Sequence, residues 1–195
     1  LGPDVRIAVF AENAVETAMA NLGGLVAGAS VVPVNFHLTA EEVNYILGDS
    51  GTRVLFVGPE TWERGVEAAQ GTEVHTVVAW GAPDGAAVTS WSDWLAANDA
   101  GEPDQSVPPR PNLLYTSGTT GRPKGTDLPP TMFAGGATVD EHLANFKAGV
   151  LERSGGVIGP QLVVGPMYHT GPLSGTRQLI AGVSSVIMAR FNAEK

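Results

Sequence analysis

The chain has 195 residues, 43% hydrophobic and only 16% charged, enough to bury a real core as one large domain or two small ones. Its 20 acidic residues outnumber 11 basic ones, and the net charge of −9 argues against nucleic acid or an anionic membrane surface as the main partner. The absence of cysteine excludes disulfides, thiolate metal sites and a cysteine nucleophile, and agrees with a cytoplasmic, reducing setting. The uncharged stretch over residues 21–37 is broken by Gly23, Gly24, Gly28 and Pro33, so it does not read as a transmembrane span. No basic segment precedes an apolar core, as a signal peptide requires. Leu1 in place of a methionine, and Ala193-Glu194-Lys195 with no evident stop, read as a chain cut at both ends.

Taken in order, residues 5–10 form a short apolar run of strand type. Asn13 is placed to cap a helix, with Val15, Ala18, Met19, Leu22 and Leu25 at helical spacing. Residues 29–34 read as a second strand. Thr39 then caps a helix, with Glu42 completing a capping box and Val43, Ile46 and Leu47 as its apolar stripe. Residues 53–57 predict a third strand, 59–70 a helix and 74–80 a fourth strand. Strands alternating with helices, the strands apolar throughout, predict an α/β fold with a parallel sheet covered on both faces. Residues 91–98 read as a short helix capped by Ser90, and residues 101–111, with Pro103, Pro108, Pro109 and Pro111, as a stiff connector. Beyond it the pattern predicts a largely helical stretch over 131–152 despite Gly135 and Gly136. A strand at 162–164, a helix at 173–181 and a strand at 183–188 follow. The expected division is residues 1–105 as one α/β subdomain and 106–195 as the start of a second.

The most informative segment is Tyr115-Thr116-Ser117-Gly118-Thr119-Thr120-Gly121-Arg122-Pro123-Lys124-Gly125. Its glycines free the backbone to wrap closely around an anion. Thr116, Ser117, Thr119 and Thr120 add hydroxyl donors, and Lys124 adds positive charge. Leu113, Leu114 and Tyr115 read as a strand delivering this loop, which has the chemistry of a triphosphate cradle in a nucleotide-using enzyme. It is not G-x-x-x-x-G-K-[ST], because Pro123 precedes Lys124 and Gly125 follows it, nor G-x-G-x-x-G, because Thr119 and Thr120 follow Gly118.

From Leu113 to Lys124 the chain resembles the phosphate-binding signature of the adenylate-forming, AMP-binding superfamily, which includes acyl-CoA synthetases, luciferases and peptide-synthetase adenylation domains. Pro166-Met167-Tyr168-His169-Thr170-Gly171-Pro172-Leu173 is similar to that family's aromatic-His segment, which lines the acyl and adenylate pocket. Residues 31–39, 125–130 and 190–195 are closest in wording to fatty-acid–CoA ligases. The chain departs from them at Asp127-Leu128-Pro129-Pro130, where relatives often carry a Ser/Thr-His pair.

The resemblance implies αβαβα parallel-sheet subdomains of an acyl-CoA synthetase N-terminal domain, truncated and without its C-terminal domain. It implies an ATP-dependent acid-thiol ligase: a carboxylate and ATP give an acyl-adenylate and pyrophosphate, and CoA then takes the acyl group as a thioester. Thr116, Ser117, Gly118, Thr119, Thr120, Gly121 and Lys124 would bind the phosphates of ATP with Mg²⁺. Lys124 and His169 would serve as catalytic residues, and Tyr168 and His169 would border a carboxylic, fatty substrate. The same resemblance implies that the fragment by itself lacks ligase activity. The alternatives are a peptide-synthetase adenylation domain, or a noncatalytic fragment that binds nucleotide or forms a homo-oligomer through an open sheet edge.

Other residues invite simpler roles. His37, His75 and His142 lack ligand spacing, so no metal site is expected. Ser174 is not a G-x-S-x-G nucleophile, since Gly171 stands one position too early. Asp127, Asp140 and Glu141 read as solvated or capping. Trp62, Trp80, Trp91 and Trp94 read as packing groups.

Overall fold

A computed structural model describes residues 1–98, 101–116 and 122–192. Five strands, β1 (Arg6–Phe10), β2 (Ser30–Val34), β3 (Val54–Val57), β4 (Thr76–Ala79) and β5 (Thr89–Ser90), make a parallel sheet in the order β2-β1-β3-β4-β5. The register sets Ile7 beside both Val31 and Val54. Four helices connect or flank the strands: α1 (Val15–Val26), α2 (Ala40–Ser50), α3 (Trp62–Ala69) and α4 (Trp91–Ala97).

Alternation of side chains along each strand sorts the core into two layers. Ala8, Phe10, Val32, Val34, Leu55 and Val57 pack with Val43, Ile46 and Leu47 of α2 and Ala68 of α3. Ile7, Val9, Val31, Val54 and Phe56 pack on the opposite face with Ala20 of α1 and Trp91 and Trp94 of α4. Both faces are dry, which is why these strands are apolar without interruption. The tryptophans do pack: Trp91 and Trp94 stand edge-on to Phe56, with centroids 6.0 and 5.9 Å away. α2 begins at the expected capping box, with Thr39 and Glu42 each serving the other's backbone N–H, and ends on Gly51 at φ 65°.

The second half is less regular. Strands β6 (Asn112–Thr116) and β7 (Lys124–Leu128) form an antiparallel hairpin. Strands β8 (Gln161–Val163) and β9 (Ser185–Ile187) pair in parallel, with α6 (Thr170–Thr176) between them. Helix α5 (Val139–Arg153) precedes this unit. The proline-rich connector carries no regular element but is held at several points. Ser30 Oγ donates to Pro111 O at 2.8 Å, and Val139 N donates to Val107 O at 2.8 Å. Arg110 reaches the carbonyl of Pro3.

Several local expectations are corrected. Ala14, not Asn13, stands at the N-terminal boundary of α1, which has no side-chain cap, and Asn13 spends its side chain elsewhere. The helix expected over 131–152 starts only at Val139, after a 3-10 turn at Pro130–Met132. Gly136 lies at φ 143°, a conformation that no helix continues through. The helix expected from residue 173 starts at Thr170 and tightens into a 3-10 turn over Arg177–Ala181. The hairpin partner β7 had no periodic signal, because Lys124, Gly125, Thr126 and Asp127 are all exposed. Among the described residues no helix is long and apolar enough to cross a membrane.

Candidate functional site

A cleft of about 1070 Å³ opens where β2 ends and α2 begins. Asn35, Thr39 and Tyr45 line one wall, Leu114, Thr116 and Arg122 a second, and Tyr168 and His169 a third. Two stretches of chain that lie about 50 residues apart, the loop flanks and the aromatic-His segment, therefore face one space. It sits beyond the carboxyl end of the edge strand β2, whose last residues Pro33 and Val34 line its floor with Asn35.

Each predicted site residue has a definite place or falls outside the description. Thr116 ends β6, is exposed and lines the cleft. Lys124 begins β7 directly opposite Thr116 in the hairpin register, so both side chains leave the same face of the ribbon. Its head is exposed and does not itself line the cleft. Ser117, Gly118, Thr119, Thr120 and Gly121 lie outside the described residues. Tyr168 is half-buried against Phe36, edge to face with centroids 5.9 Å apart. His169 is exposed and stands at the N-terminal boundary of α6. Its amide donates to Pro166 O at 3.0 Å, its carbonyl accepts from Leu173 N at 3.0 Å, and its ring lies 4.3 Å from that of Tyr168. Gly165, near this segment, is not at positive φ; a Cβ there would come within 2.7 Å of Pro172, so close packing explains the glycine.

Three side chains without an expected site role, Tyr115, Arg122 and Asn13, hold the walls. The Tyr115 phenol donates to Asp49 Oδ2 at 2.6 Å. Burial, then that carboxylate, push its pKa well above the ordinary phenol value. Arg122 stacks over the Tyr45 ring, 5.1 Å from its centroid. Asn13 ties Gly165, Met167 and Met188 together from below. No short-range pattern marks these contacts, since their partners stand 66 to 175 positions away. On the rim, Glu42 is held as a carboxylate below its ordinary pKa by the backbone and hydroxyl of Thr39. Among the described residues no group of three His, Asp or Glu side chains is arranged to hold a metal ion.

In chemical terms the cleft offers a hydroxyl and a guanidinium near one end, an imidazole and an aromatic wall at the other, and room for a ligand of nucleotide size. A family profile described as "AMP-binding enzyme" matches residues 1–193. The chain is 32% identical to a sulfoacetate–CoA ligase of Cupriavidus necator, with 99% of this chain and 36% of that protein covered. It is 33% identical to ScoC of Streptomyces coeruleorubidus, a fatty acid–[acyl-carrier-protein] ligase, with 100% and 36% covered. The inhibitor-bound N-terminal domain of FACL13 from Mycobacterium tuberculosis superposes with a TM-score of 0.73 at 26% identity, covering 100% of this chain and 46% of that one. The chain thus spans about a third of the length of the curated relatives it matches.

Proposed function

We propose, for a chain that belongs to the family of AMP-binding enzymes, that it supplies the ATP- and acyl-facing part of an ATP-dependent acid-thiol ligase, with a fatty acid as substrate and coenzyme A as acceptor. The observation that carries this reading is the shared cleft: the flanks of the hydroxyl-rich loop and the Tyr168-His169 segment face one space. A carboxylate oxygen of the acid attacks the α-phosphorus of ATP, the bond to the bridging oxygen breaks, and pyrophosphate leaves with that electron pair. In the second step the CoA sulfur bonds to the acyl carbon, its proton passes to solvent or base, and AMP departs.

The barrier in the first step is the approach of two anions. Hydroxyls and amides of residues 116–121 bind the β- and γ-phosphates, Arg122 adds charge at the cleft, and Lys124 neutralises the departing pyrophosphate. Tyr168 and His169 border the acid's carboxylate and hold it in line. Magnesium would accompany the nucleotide, binding its phosphate oxygens. The 195-residue chain alone is expected to form no thioester.

The test is carboxylate-dependent exchange of pyrophosphate into ATP by a polypeptide of the relatives' full length that carries this chain. Lys124→Ala is expected to lower kcat about 100-fold or more with its thermal unfolding unchanged. Equal kinetics for the variant and the unsubstituted protein would remove Lys124 from the reaction, and absence of exchange would sink the ligase reading. A carrier protein in place of CoA is a second reading, favoured by the likeness to the Streptomyces enzyme; comparing the two acceptors after adenylate formation separates them.

A further inference from the structure

Asn13 follows β1 at the position where a helix cap is expected, yet its carboxamide points away from α1. Nδ2 donates to Gly165 O at 2.9 Å and to Met188 O at 3.1 Å, while Oδ1 accepts from Met167 N at 2.8 Å. All three partners are backbone groups, between 152 and 175 positions along the chain. Asn13 is 6% exposed, so these bonds form away from water.

Their placement gives them a purpose. The β8–β9 ladder ends where Met188 N donates to Val163 O at 3.0 Å, and the chains then diverge. Asn13 takes up the next free groups on each side, Gly165 O and Met188 O, as a third strand would. Met167 is pinned a second time by its side chain, 1% exposed and packed with Ala18 and Val163. The next two residues are Tyr168 and His169, which face the cleft. No other side chain combines two N–H donors and one carbonyl acceptor at this reach: Asp offers acceptors only and would face two carbonyls, and Gln is one methylene longer.

We propose that Asn13 is a positioning residue for the acid-activating step. From beneath the sheet its carboxamide sets the turn that presents Tyr168 and His169, and it couples that turn to the end of β9. This rests on the ligase reading above, so the test has two arms that fail separately.

The first arm needs no activity. In the 195-residue chain, amide hydrogen exchange at residues 165–169 is expected to quicken about 10-fold or more in Asn13→Ala, while Ile7, Ala8 and Val9 in β1 exchange as before. Unchanged exchange at 165–169 overturns the proposal whatever the protein catalyses. The second arm is a double-mutant cycle in the full-length polypeptide. Asn13→Ala is expected to lower kcat for adenylate formation about 10- to 100-fold with the KM for ATP unchanged. In a His169→Ala background the same change is expected to add little, because its effect runs through that residue. Full multiplication of the two losses, or a matching rise in the KM for ATP, overturns the positioning role. Absence of any carboxylate-dependent exchange in the unsubstituted polypeptide sinks the ligase reading and leaves the first arm to decide. Should Asn13→Ala not fold, Asn13→Ser, which leaves one hydroxyl in the pocket, carries both measurements.

Discussion

The hydroxyl of Tyr115 sits 2.6 Å from Oδ2 of Asp49, joining the strand that precedes the hydroxyl- and glycine-rich segment to the end of α2. Asp49 has a neighbour one helical turn earlier, Tyr45, over which Arg122 stacks. The residues immediately before and just after 116–121 are therefore both seated on one face of a single helix. That helix is in turn fixed to the sheet through the buried Val43, Ile46 and Leu47. On the proposed reading such a seat lowers the cost of binding by fixing the two flanks beforehand.

Asp49→Ala is expected to weaken ATP binding about 3- to 10-fold, the scale of one partly solvated hydrogen bond, with little change in unfolding temperature. Asp49→Asn keeps an accepting oxygen and is expected to bind like the unsubstituted protein. Titration calorimetry with ATP is the measurement, and equal affinity for Asp49→Ala would show that the loop needs no such seat.

Adjacent glycines in α1 are expected to respond in opposite senses. A Cβ on Gly24 would lie 2.6 Å from Val31 Cγ2 and 2.7 Å from Ile7 Cδ1, between the helix and the sheet. Gly24→Ala is expected to cost about 1–3 kcal/mol through overpacking, in spite of alanine's better helix propensity. Gly23 has nothing within 4 Å of that position, so Gly23→Ala is expected to stabilise by about 0.5–1 kcal/mol. Thermal unfolding reads both, at roughly 2–4 °C per kcal/mol for a chain of this size; shifts of the same sign would contradict the packing account.

His142 supplies a pH dependence. It is 1% exposed, and Nδ1 donates to Ala134 O at 3.1 Å. Desolvation holds its pKa below the ordinary 6.5, with the backbone bond opposing and the nearby Arg177 charge adding to the drop. In the window just below 6.5 the unfolded chain therefore binds more protons at this residue than the folded one. Its contribution to stability is present above that window and is lost as pH falls through it. Urea midpoints measured from pH 7.5 down to 5 are expected to fall more steeply for the unsubstituted protein than for His142→Gln, whose amide still donates to Ala134 O. Parallel slopes would show that His142 titrates alike in both states.

Legibility differed by region for reasons of range. Strands β1 to β4 and helices α1 to α4 were readable because each is declared by its own residues: an apolar run, a 3.6-residue stripe, or a Thr39–Glu42 box whose two bonds span three positions. The second half carries weaker local signals. Gly135 and Gly136 sit among helix formers that mask the break they make, and β7 shows no alternation because neither of its faces is buried. Asn13 shows the limit most clearly, since a cap and a long-range clamp have the same letter and only the distant partner distinguishes them.

By itself the amino-acid order determined that this is an α/β chain with a doubly covered parallel sheet, that a hydroxyl-rich glycine loop follows a strand, and that an aromatic-His segment lies about 50 residues on. These are local properties, set by backbone preferences and side-chain periods over a few residues. Only the tertiary structure decided that the loop's flanks rest on Tyr45 and Asp49, that Asn13 grips the turn before His169, and that both segments open on one cleft. Those contacts join residues tens to well over a hundred positions apart, and their partners are chosen by how the packed layers meet.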